Sequence, residues 1–340
     1  MRITEFLRKG VLKAGVGGIK NRIKLHERRD TFFFEEIGAR YVEACDSAGR
    51  SPVMEAVGEK WMALYFKYLL PSGFRKMPPK FFLNVIVKKI WVSMRMMDYF
   101  RLREDAGAFE ITTRNEGVTR IVGANSLMTG FYKGILASLY GYRFSTLVAS
   151  QSKTECRYLF AMTGERFEAQ GKGRQAYDRL NRIAASDGFG LKDAIKSRLI
   201  EIKDNSLYYR SKAISPIENT LFHIIGNEGI MLDSVASVAQ DFFSGIVDAD
   251  SDETRRAVTL KTLLQVMGWG MVNIKFTDKE AIVLIKNPAC GLQLEKDNWE
   301  FLAQTMLGYL RLSRRNASLS RTEHANARLR LTYALHAVHQ

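Results

Sequence analysis

The chain has 340 residues, 46% hydrophobic and 26% charged, with a formal net charge of +15 and a pI near 9.7. That composition excludes a wholly disordered chain, and the length suits two domains of ordinary size. No apolar run reaches the about eighteen residues of a membrane-spanning helix, the nearest being FFLNVIVKKIW at 81–91, which two lysines interrupt. The N-terminus lacks an uninterrupted apolar stretch, so no secretory signal is expected. Three cysteines, at 45, 156 and 290, are too far apart for a disulfide framework and point to a reducing, cytoplasmic setting.

Residues 1–29 hold nine Lys/Arg against two Glu, a net +7 and nearly half of the total charge. Ile3, Phe6, Leu7, Val11 and Leu12 recur there at helical spacing, and Gly15, Gly17 and Gly18 should divide the stretch into two short helices. Arg2, Arg8, Lys9, Lys13, Lys20, Arg22 and Lys24 form a candidate surface for an anionic partner. Three readings fit this pattern: attachment to an anionic membrane surface, docking on the protein's own first domain, or an organelle presequence, against which Glu5 and Glu27 count. A second basic cluster, Arg311 to Arg330, makes nucleic acid a further candidate partner.

Helical patterns follow in FFFEEIGARYVEACDSAG (32–49) and PVMEAVGEKWMALYFKYLL (52–70), the latter opened by Ser51 with proline at the first helical position. Residues 78–98 read as helical again after Pro78-Pro79. AFEITTR (108–114) reads as a strand, MTGFYKGILASLYG (128–141) as a helix ending at glycine, and RFSTLVASQ and CRYLFAMTG as two strands. A polar, glycine-bounded helix at 170–187 is the expected linker. A hairpin is expected over 199–210, turning at Asp204-Asn205, with helices over 218–247 and 255–267. In AIVLIKNPACGLQLEKDNWEFLAQTMLGYL (281–310) an apolar strand leads through Asn287-Pro288-Ala289-Cys290-Gly291 into a helix.

The two halves run in the same order, which suggests an internal duplication. The helix at 53–70 aligns with 231–248, the strand at 108–117 with 280–289, and the helix end at 135–144 with 302–311, at offsets of 178, 172 and 167.

This order, and the stretches ITTRNEG…GFYKGILASLYG (111–141) and IVLIKNPACG…NWEFLAQTMLGYL (282–310), resembles the 4-vinyl reductase domain family, whose fold is shared with the small TRAPP subunits of vesicle tethering. The resemblance covers roughly 45–162 and 199–333. With the basic segment over 1–30 and the helical linker over 166–198 read from charge and pattern, it implies a first domain over 31–165 and a second over 199–335. The expected fold is α/β (α+β): two tandem domains, each an antiparallel sheet with packed helices, paired as an internal pseudo-dimer. What the resemblance implies about function is a small sensor or scaffold module that holds an apolar or tetrapyrrole-like ligand and often dimerises. Some family members bind zinc through cysteines and a glutamate. Here Cys156 stands near the last such cysteine, but Val148 and Ser145 precede it, and the second half has Arg328 and Asn326, so zinc is not expected.

The candidate pocket residues are Asn115, Phe131, Tyr132, Leu136 and Tyr140 in one half and Asn287, Cys290, Trp299, Leu302 and Met306 in the other. Core packing alone also explains such aromatic stripes. Cys290 sits where a helix N-terminus could lower a thiol pKa, but no histidine lies near it in sequence. His223 falls on an apolar helix face, as a core histidine does, and His336 and His339 lack further metal ligands nearby. Glu55 and Glu59 have the spacing of a paired-carboxylate site, or of an ordinary solvated helix face. With no nicotinamide, flavin or phosphate-loop motif, the expected protein is a non-enzymatic binder without a cofactor.

Overall fold

The computed structural model describes residues 31–68, 74–169, 189–203, 206–247, 252–289, 296–313 and 316–335. The basic N-terminal segment, the helix expected at 170–187, Cys290 and the two C-terminal histidines lie outside the described residues.

Among the described residues the fold is α+β, with three four-stranded antiparallel sheets and helices packed on them. The first sheet contains β2 (Tyr99–Asp105), β3 (Ala108–Arg114), β4 (Tyr142–Gln151) and β5 (Glu155–Arg166), in the order β2-β3-β5-β4. The second repeats that plan with β9 (Met271–Phe276), β10 (Glu280–Lys286), β11 (Ala317–Ala325) and β12 (Arg328–Leu335), in the order β11-β12-β10-β9. The registers match as well: Thr113 lies opposite Cys156, and Ile285 opposite Leu329. Asn115 and Asn287 both adopt positive φ, 48° and 52°, as asparagine tolerates. Each then sends its N–H across the sheet end, to the carbonyls of Thr154 and Ala327.

The third sheet joins the halves. β1 (Thr31–Phe34) pairs with β8 (Lys212–Ile217), which continues to β7 (Ser206–Tyr209) and β6 (Glu201–Lys203). Thr31 lies opposite Ile217 and Phe34 opposite Ile214. Both strands lead into helices behind a glutamate, Glu35 and Glu218, so the pair has the reciprocal register of a two-fold axis. β1 corrects the expectation of helix from residue 32. All four of its residues are buried, and three successive phenylalanines cannot share one helix face, whereas an extended strand buries both of its sides.

Helix packing follows the same exchange. α1 (Glu35–Ser47) packs on α9 (Leu232–Ser244), and α8 (Thr220–Glu228) packs on α2 (Ser51–Tyr68). The Tyr41 hydroxyl donates to the Ile230 carbonyl at 2.6 Å, and on the other side of the contact the Trp61 indole N–H of α2 donates to Glu218, just before α8, at 3.1 Å.

Within the first half α2 crosses α6 (Ser126–Tyr140) on glycine. An added Cβ would lie 1.8 Å from the Glu55 carbonyl oxygen at Gly130, 2.2 Å from that of Glu59 at Gly134, and 2.3 Å from that of Leu127 at Gly58. In the second half Gly308 of α11 (Glu300–Leu310) meets the Ala236 carbonyl of α9 in the same manner, at 2.4 Å. Gly308 therefore corresponds to Gly134. The sequence alignment, which set Gly308 against Gly141, is two helical turns out of register. Gly141 instead caps α6 with φ of +74°.

A helix lies along one edge strand of each sheet. In the first half it comprises α3 (Pro79–Phe81), a π-helical stretch (Phe82–Val87) and α4 (Lys88–Ser93). The Asn84 amide donates to the Leu102 carbonyl at 2.9 Å and accepts its N–H at 2.8 Å, standing in for a missing strand on β2. In the second half α10 (Glu253–Val266) does the same beside β9, where Gln265 accepts the Val272 N–H at 3.2 Å. The remaining short helices are α5 (Thr119–Val122) and α7 (Leu191–Lys196).

Gly130→Ala is expected to force the α2–α6 backbones apart and cost about 3 kcal/mol, the upper end of the overpacking range. Gly38→Ala, in an α1 position with nothing within 4 Å of the new Cβ, should instead stabilise by up to about 1 kcal/mol. Denaturant midpoints of the two variants should move in opposite directions.

Candidate functional site: two unlike half-cores and a cationic groove

The sequence-derived pocket residues divide between two separate cores. Phe131 is buried with its ring 5.6 Å from Trp61, 5.4 Å from Trp91 and 5.1 Å from Tyr132, and Leu136 is fully buried beside it on α6. Tyr140 packs on Phe109 at 4.9 Å and donates its hydroxyl to Glu104. Asn115 stands at the exposed sheet end, its amide donating to Asp98 at 2.8 Å. In the second half Trp299, Leu302 and Met306 are buried, and Asn287 occupies the sheet-end turn.

The two cores differ in chemistry at equivalent places. In the first, Glu116 is 0% exposed and its carboxyl group accepts four hydroxyl hydrogen bonds. The donors are Thr113 at 2.6 Å, Thr119 at 2.9 Å, Tyr132 at 2.5 Å and Tyr158. No basic side chain is among them. Asn125, the N-cap of α6, donates in turn to Thr119, and Gln151 donates to the Tyr158 hydroxyl at 3.0 Å. Burial foremost, and then the neighbouring Glu116, holds both tyrosine hydroxyls well above the usual phenol range. The same two causes push the Cys156 thiol up to about 12. At the matching positions the second half has Ile285, Pro288, Leu329 and Leu331, and its sheet is apolar there. The sequence reading missed Glu116, because a lone glutamate in a polar loop shows nothing of the hydroxyls that converge on it.

The second core keeps one polar centre, His223. Its Nδ1 lies 3.0 Å from the Asn298 backbone nitrogen and 2.7 Å from the Asn298 carbonyl oxygen, and its Nε2 lies 3.0 Å from the Ala289 carbonyl oxygen. Trp299 donates to the same carbonyl at 3.2 Å. Burial lowers the histidine pKa, so the ring is a neutral clamp between α8 and the segment leading to α11. Glu55 and Glu59 both pair with Lys133, at 2.9 and 3.2 Å, across the α2–α6 contact rather than facing solvent alone. Among the described residues no group of three His, Cys, Asp or Glu side chains is placed to hold a metal ion. None of the described helices is long and apolar enough to cross a membrane.

Among the described residues one open feature is a groove of about 680 Å³ between α10 and the β9 side of the second sheet. α10 has two faces. Leu260, Leu263 and Leu264 enter the core, while Val258, Lys261, Thr262 and Gln265, at spacings of three and four, line the groove. Across from them stand Met271, Leu284, Lys286 and Arg328, with Phe189 at one end. Val258, Phe189 and Leu284 are 57%, 40% and 36% exposed, which is uncommon for a cluster of apolar side chains. Lys261, Lys286 and Arg328 have no carboxylate partner among the described residues. The groove's lining therefore combines exposed apolar side chains with three cations. Apart from Arg328, which belongs to the C-terminal basic cluster, these residues did not stand out in the sequence, because they come from four separate stretches.

Tyr158→Phe or Thr113→Val should each leave the Glu116 carboxyl one donor short and cost about 1–3 kcal/mol, measured by urea unfolding. Burial also raises the Cys45 thiol, so neither Cys45 nor Cys156 should react with a thiol reagent at pH 8 in the folded protein. Both should react once denaturant is added. No protein-family model, curated protein or solved structure matches this chain.

Proposed function

We propose that the protein is a non-enzymatic binding or sensing module, with the groove beside α10 as its ligand site. The observation that carries this reading is the pairing of exposed apolar walls with three cations that lack carboxylate partners. Water solvates Val258, Leu284 and Phe189 poorly, and an apolar ligand would cover them. Lys261, Lys286 and Arg328 would then meet acidic groups at its edge. A volume of about 680 Å³ falls within the roughly 300–1,000 Å³ of small-molecule sites and suits a long-chain acid or a flat macrocycle bearing carboxylates. The likeness to 4-vinyl reductase domains supports the same class of ligand. The two closed cores act in this reading as the rigid support, since their polar groups are already bonded to one another.

A fluorescent long-chain fatty acid and its methyl ester, titrated against the full chain, test the proposal. The acid should bind saturably and about tenfold more tightly than the ester. Arg328→Ala with Lys286→Ala should remove that preference, and Leu284→Asp should weaken both ligands. The absence of saturable binding, or equal affinity for acid and ester in the wild type, would count against the groove as the site.

A further inference from the structure

We infer that the surface of residues 76–89, along the β2 edge of the first half, docks on an anionic lipid bilayer. Phe81 and Val85 are 52% and 49% exposed and stand one helical turn apart. Their neighbours Phe82, Leu83, Val87 and Trp91 enter the core, and Asn84 is held on Leu102, so the helix is fixed with this pair facing outward. Lys76, Lys80 and Lys89 are exposed around it, and the Lys88 ammonium lies 5.0 Å over the Tyr99 ring. No Asp or Glu occurs from Lys76 to Met97, and none of the four lysines has an ion-pair partner among the described residues.

Charge and apolar surface together select the occupant. A second copy of the chain would bring four lysines against four, which like-charge repulsion opposes. A nucleic-acid backbone would reward the lysines but leave Val85 in water. A bilayer with acidic headgroups satisfies both, with phosphates and carboxylates at the lysines and the acyl boundary at Phe81 and Val85. This surface is separate from the α10 groove and does not rest on it.

The test uses the full chain and vesicles of phosphatidylcholine alone or with about one-third phosphatidylserine. The protein should sediment with the acidic vesicles only. A Trp placed by F81W should shift its emission to the blue on those vesicles and be quenched by bromine-labelled acyl chains. F81S with V85S, and separately K80E with K89E, should each lower the bound fraction about tenfold while leaving the thermal midpoint unchanged. The inference is overturned if the chain does not sediment at low salt. It is overturned equally if both double variants bind as the wild type does, or if the F81W emission stays unquenched while the protein is bound. Binding of a homopolymer RNA that K80E/K89E abolishes and F81S/V85S leaves intact, without vesicle binding, would assign the surface to nucleic acid instead.

Discussion

The antiparallel pairing of β1 with β8 is the contact on which the remaining architecture depends. Four residues at one end of the described chain complete a sheet formed by residues about 180 positions later, and their aromatic side chains enter the second half's core. Phe33 packs on Phe222 at 4.8 Å, and Phe34 on Phe242 at 4.8 Å. The free side of β1 is also closed: the Phe32 N–H bonds the Met267 carbonyl at 2.9 Å, and the Trp269 indole donates to the Phe32 carbonyl at 3.1 Å. With both backbone groups of Phe32 engaged on that side and β8 on the other, the strand cannot slip without exposing three phenylalanines.

From that pairing the exchange of helices follows. A strand register with two-fold symmetry sends each following helix toward the opposite half, so α1 meets α9 and α8 meets α2. Two units built on the same plan are thereby held together within one chain, without the concentration dependence of two separate subunits. A fixed pairing of this kind also frees the halves to differ. One core carries the Glu116 hydroxyl ring; the other is apolar around Leu329 and Leu331 and places its polar clamp at His223 instead.

The edge helices show how one device serves two purposes. Each covers a sheet edge through a side-chain amide, Asn84 on Leu102 and Gln265 on the Val272 N–H. With the edge satisfied, the outward side of the helix is not needed for folding. In the first half that side holds Phe81 and Val85 among lysines; in the second it forms one wall of the α10 groove.

The sequence by itself determined the types of most elements and the repetition of their order. Apolar spacing marks α2, α6, α9 and α11, and alternation marks β3, because these signals arise within a few residues of one another; the sequence reading missed β2. The likeness of β3 to β10, at an offset of 172, was legible in the same way and agrees with the strand registers. Tertiary structure decided what depends on distant partners. FFF at 32–34 reads with the helix that follows it, and it is the pairing with β8, burying both of its sides, that makes it a strand. The correspondence of Gly308 with Gly134 follows from which glycine touches a neighbouring backbone, a contact that an alignment of helical repeats cannot distinguish from one two turns away. The surroundings of Glu116 and the meeting of the groove cations were illegible for the same reason: Tyr158 lies 42 residues from Glu116, and Lys261, Lys286 and Arg328 come together only where helix and sheet meet. Local pattern sets what a segment can be, and burial against remote segments sets which of those it becomes.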